Sequence, residues 1–128
     1  MEELTNNVNW LAVIVGFVAS FLLGWVWYSV RLFGKKWADG VGIEMDQKAS
    51  MPAIAMLTQA LGTFMLAWLV GITAASNALL TIILVVLTFI VLQIAAGLFT
   101  KKSGAAIAID GGFTLVMAIV MIISQGIF

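Results

Sequence analysis

No charged side chain lies between Ala49 and Thr100, and a second uncharged, apolar run extends from Val8 to Val30. Runs of this length leave few folds open. About 20 residues rising about 1.5 Å each cross a hydrocarbon core of about 30 Å. Within lipid, a lone segment satisfies its backbone N–H and C=O groups only as a helix. The long run is interrupted at Gly71-Ile72-Thr73-Ala74-Ala75-Ser76-Asn77, whose small and polar residues read as a turn, so it holds two spans. A last apolar run follows Lys101-Lys102, with Ser103 as its cap. The fold class is therefore an all-α, integral membrane four-helix bundle. The spans fall near 8–30, 51–72, 77–100 and 104–126, in a single transmembrane domain over 1–128 with a loop at 31–50. Composition agrees, with 63% hydrophobic and 9% charged residues, against roughly 25% charged in soluble domains.

The two ends of the spans differ in charge. All six Lys and Arg residues lie in the one-two and three-four connections, which the positive-inside rule places in the cytoplasm. Both termini and the uncharged two-three turn then face outward, in a multi-pass protein of the cell inner membrane. Glu2 and Glu3 precede the first run where a cleaved signal would need basic residues. Trp10, Trp25, Trp27, Trp37 and Trp68 are expected as interface anchors, because an indole suits the water–lipid boundary. The second span is expected to begin at Ser50-Met51-Pro52, a capping hydroxyl followed by an early proline. Between Arg31 and Ala38 one or two turns can lie on the membrane, with Phe33 and Trp37 on one face. Asp39-Gly40-Val41-Gly42 is expected to break that helix, and Glu44, Asp46, Gln47 and Lys48 to form a solvated loop. These acids lack the spacing of a calcium loop.

Small residues recur at helical spacing. Ala12, Gly16, Ser20 and Gly24 form one stripe, and Gly104, Ala108 and Gly112 form another. Such stripes let helix backbones approach closely. Self-association into a homo-oligomer is the expected use, with packing inside one chain as the alternative.

Asp110 is the one acidic residue inside a span. An acid at that depth costs roughly 2.5–3.5 kcal/mol on insertion scales and usually faces a protein interior or a watery cavity. Depth counting suggests companions. Gln59, Gln93 and Asp110 each lie about 10–13 Å inside the basic end at the helical rise, and Tyr28 stands at the exit of the first span. The four make a candidate polar layer, and a hydrogen bond from Asp110 to Gln59, Gln93, Tyr28 or a water is expected.

At the first span's exit, Gly24, Trp27, Tyr28, Ser29, Leu32, Phe33, Gly34, Lys35 and Trp37 match a pattern Gly-x-x-Trp-Tyr-Ser-Pro…Leu-Phe-Gly-Lys-x-Trp. Through it the chain resembles a family of small four-span bacterial membrane proteins defined by a domain of unknown function. Ile109-Asp110-Gly111-Gly112-Phe113 is similar to that family's last-helix motif. Val30 stands where the family commonly has proline. The resemblance implies a membrane domain and names no substrate.

Function classes narrow by what is missing. The chain has no cysteine and no histidine and a net charge of zero, so disulfides, thiolate chemistry and a basic nucleic-acid surface are excluded. No Walker loop, dinucleotide fingerprint or metal-ligand cluster is present. No enzyme activity, cofactor or metal is expected. The expected partners are the lipid bilayer and the chain itself, with no nucleic acid and an unknown substrate. The leading expectation is an oligomeric channel or transporter for a proton, ion or small polar solute, built on the layer around Asp110. The alternative is a structural or accessory membrane protein, binding lipid or a partner, whose polar layer only holds helices together.

Overall fold

A computed structural model describes residues 2–29, 31–42 and 53–128. Among these residues the regular structure is helical: α1 (Glu2–Thr5), α2 (Trp10–Trp27), α3 (Gly34–Val41), α4 (Ala53–Ala75), α5 (Leu79–Phe99) and α6 (Gly104–Ile127). Four of them, α2, α4, α5 and α6, are long and apolar enough to cross a membrane. Their starts follow local chemistry. The Asn9 side chain accepts from the Ala12 N–H and the Ser103 hydroxyl from the Ala106 N–H, each satisfying a first-turn donor that has no partner within its helix. The expected cap at Ser50-Met51-Pro52, the loop acids Glu44 and Asp46, and Val30 lie outside the described residues.

Helix ends shift by one to three residues from expectation, and two of the shifts have a local cause. The second span continues to Ala75, and the turn closes through Asn77 at φ 54° and a bond from Ala78 N–H to Thr73 C=O. The interfacial helix does not break at Asp39-Gly40 but continues to Val41, ending at Gly42 with φ 79°. Gly40 is inside α3 because a side chain there has no room. A Cβ would lie 2.6 Å from that of Ala106 and closer still to Ser103 Oγ. The glycine lets α3 rest on the first turn of α6, where Ser103 N–H donates to Gly40 C=O at 3.0 Å.

The sixth helix is the hub, packed against α2, α3, α4 and α5. Lipid tails are as apolar as leucine, so close packing rather than water exclusion must hold these helices. The face carrying Ala106, Ile109, Phe113, Met117 and Met121 is buried, together with Thr114, Ala118 and Ser124. Met117 and Met121 join Val13, Val70 and Ile82 in the core. The stripe Ala12, Gly16 and Ser20 is buried, and at Gly16 and Gly24 it faces α6. It thus serves contacts within one chain, which corrects the expectation that it meets another copy. Ser124 Oγ donates to Ala12 C=O at 2.8 Å across this seam. The second stripe faces outward at Gly104 and Ala108, while Gly112 lies beside Trp27. Most of α5 is exposed, with Ile82, Val86 and Gly97 its buried residues.

The far end gathers both termini and the α4–α5 turn. Trp68 Nε1 donates to Leu4 C=O at 2.6 Å, and the rings of Trp10 and Trp68 stand 5.7 Å apart. Gly71 of α4 approaches Val8 and Gln125. Trp25 points outward and is 69% exposed. Trp27 and Trp37 are half-buried, and each has aromatic neighbours within its own chain.

Candidate functional site

The exit of α2 builds one wall of the site. The chain turns sharply between α2 and α3, with Phe33 N–H donating to Trp27 C=O and Gly34 N–H to Ser29 C=O. This turn holds Trp27 and Tyr28 against α6. Trp27 Nε1 donates to Ile109 C=O at 3.0 Å. Tyr28 is wedged edge-on between Trp37 of α3 and Phe113 of α6, at ring separations of 5.5 and 5.4 Å. Edge-to-face rings at such distances attract through their quadrupoles. Gly24 makes room for this arrangement, since a Cβ there would meet Phe113 Cζ at 3.0 Å. The two sequence motifs at the first-span exit and in the last helix are therefore two halves of one aromatic cluster.

Asp110 lies within it. Tyr28 Oη donates to Asp110 Oδ1 at 2.5 Å, and Lys102 Nζ reaches Oδ2 at 3.4 Å. The Asp110 side chain is 18% exposed and that of Lys102 35%. Lys102 stands one residue before the α6 cap Ser103, and its side chain passes Gly97 to reach Asp110. An acid at this depth needs a cation or a hydrogen-bonded cavity, and here it has an ammonium and a phenol.

The other members of the expected layer are placed differently. Gln93 of α5 is one step away: Thr114 Oγ1 is 2.8 Å from Gln93 Oε1 and 3.2 Å from Asp110 C=O, so one hydroxyl sits between the amide and the Asp110 backbone. Gln59 stands apart. Its side chain is exposed and its Nε2 donates to Thr63 Oγ1 of its own helix at 3.2 Å. The expected common depth does not bring it to Asp110, because the buried face of α4 starts only at Thr63. Two functional neighbours, Lys102 and Thr114, stand outside the expected layer. Lys102 reads in the sequence only as a topology signal, although it lies about two helical turns before Asp110. Thr114 follows Asp110 by four residues, which puts both on one face. Trp37 Nε1 is buried without a hydrogen-bond partner among the described residues.

Fold and site together define a polytopic membrane protein with a partly buried aspartate held in polar contacts at one end of its spans. The family model described as a protein of unknown function, DUF1761, matches residues 11–125, and the chain belongs to that family. No curated protein and no solved structure matches it.

Proposed function

We propose that the protein is a small transport protein of the bacterial inner membrane, handling a proton, a small cation or a small polar solute at Asp110. The observation that carries this reading is the arrangement of the two Asp110 oxygens. One accepts from Tyr28 and the other from a lysine that is itself about one third exposed. An arriving cation or proton competes with Lys102 for Oδ2, and the displaced ammonium returns toward water. The site then stays near neutral in both states, which avoids a lone charge in lipid. Among the described residues, the interior beyond Asp110 is packed with Met117, Val13 and Met121. We assign the route to a boundary between copies in a homo-oligomer, where the exposed Gly104 and Ala108 let helices of two copies approach closely. No catalytic role is proposed.

The test is flux through proteoliposomes. Wild type is expected to dissipate a proton or cation gradient, and Asp110→Asn to abolish that flux while the assembly stays intact, because an amide neither releases a proton nor balances a cation. Absence of wild-type flux across a broad ion panel counts against transport. It would favour the second reading, a structural latch, which the same fact supports: Tyr28 and Lys102 tie the α2 exit and the α5–α6 connection to α6.

The orientation is proposed from the basic loops, with the loop ends cytoplasmic and both termini outside. Cysteines placed at Lys36 and at Gln125 should report it. An impermeant thiol reagent added to intact cells is expected to label the Gln125→Cys variant and spare Lys36→Cys. The reverse pattern would invert the orientation.

A further inference from the structure

Where α3 ends, from Asp39 to Gly42, it faces the α5–α6 connection, from Thr100 to Lys102, across a cavity of about 370 Å³. Its two walls carry opposite charge. On one are the Asp39 carboxylate and the C-terminal end of α3, which bears the negative pole of the helix dipole. On the other are Lys101 and Lys102. Lys102 is engaged by Asp110, whereas neither Asp39 nor Lys101 enters an ion pair among the described residues. Two charges of opposite sign thus share a cavity without bonding to each other.

The cavity lies where the apolar lengths of α5 and α6 end and beside α3, whose Lys35, Lys36 and Asp39 are exposed while Gly34 and Ala38 are buried. That is the depth of lipid headgroups. The α5 residues that precede Thr100 in the chain, Leu98 and Phe99, are 65% and 88% exposed, an apolar surface next in sequence to an open polar cavity. We infer that this cavity holds the headgroup of a zwitterionic amino-phospholipid, with the phosphodiester on Lys101, the primary ammonium on Asp39 and an acyl chain along Leu98 and Phe99. A quaternary headgroup has no N–H to donate to Asp39, and an anionic glycerol headgroup brings no cation to it. The inference does not depend on transport at Asp110.

Lipid retention by the purified full chain in mild detergent tests this, read by native mass spectrometry after exposure to an equimolar mixture. The lipids are phosphatidylethanolamine, phosphatidylcholine and phosphatidylglycerol. Wild type is expected to retain phosphatidylethanolamine about fivefold over phosphatidylglycerol, the size of one charge contact near a membrane surface, and about fivefold over phosphatidylcholine, the size of one hydrogen bond at about 1 kcal/mol. Asp39→Asn should erase the preference over phosphatidylglycerol, and Lys101→Gln should lower phosphatidylethanolamine retention about fivefold. Both residues are exposed, and unchanged thermal unfolding of the variants would tie any loss to the cavity. Equal retention of the three lipids by wild type, or a preference that survives both substitutions, would overturn the assignment. Displacement of the lipid by free phosphoethanolamine at millimolar concentration would overturn the membrane source and make the soluble ester the ligand.

Discussion

Gly16→Leu is expected to pry α2 from α6 and to lower thermal stability further than the loss of any one polar contact in the bundle. A Cβ at Gly16 would already lie 3.4 Å from Met121 Cα and 3.6 Å from Ser124 Cβ. The first of these neighbours is backbone and cannot swing aside. Leucine adds three further carbons into that space, so the helices must separate. Overfilling of this kind costs about 1–3 kcal/mol and occasionally more. Separation also strains the bond from Ser124 to Ala12 C=O, and interhelical bonds in membranes are worth about 0.6 kcal/mol on average. The control is Gly62→Leu, where a Cβ meets nothing within 4 Å. Thermal unfolding in mild detergent should show a large loss for Gly16→Leu and little change for Gly62→Leu. Equal midpoints would remove the α2–α6 seam as the main packing contact.

Asp110→Ala is expected to be the next most damaging change. It strips the acceptor from both Tyr28 Oη and Lys102 Nζ. Leaving a buried polar group unsatisfied costs about 1–3 kcal/mol. Tyr28 is half-buried and bears most of that cost, while Lys102 can turn back to water. Tyr28→Phe removes the donor together with its hydroxyl and should cost only about 1 kcal/mol, the usual net worth of a hydrogen bond. The order of thermal midpoints is then wild type, Tyr28→Phe, Asp110→Ala. In the double variant the two losses should fall short of additivity, since the shared bond can be lost only once. Full additivity would mean that the Tyr28–Asp110 contact contributes nothing to the folded protein in detergent.

The four spans are legible in the sequence because charge is excluded from lipid at a cost of several kcal/mol per residue, so their limits are written in where Lys and Arg stop. Ser103 is legible as a cap because that chemistry is local. Rotation is not legible: the helical rise puts Gln59 and Asp110 at one expected level, yet Gln59 is exposed and bonds within its own helix while Asp110 meets the aromatic cluster. Four-residue stripes locate a face without saying what it meets, which is why the Gly16 stripe suggests a second copy when Gly16 meets Met121 of its own chain. Gly40 misleads in a different way. A glycine beside an aspartate reads as a breaker, but here it is a point of contact between two helices, and only the position of Ser103 and Ala106 reveals that.

The central position of α6 sets an order of events in biosynthesis. It is the last of the four spans to leave the ribosome, and chains grow at about 5–20 residues per second. Until it arrives, α2 and α4 sit in the bilayer with the groove lined by Gly16 and Ser20 open to lipid, and Tyr28 has no carboxylate to bind. The first three spans therefore wait, on the order of seconds, as an unfinished assembly.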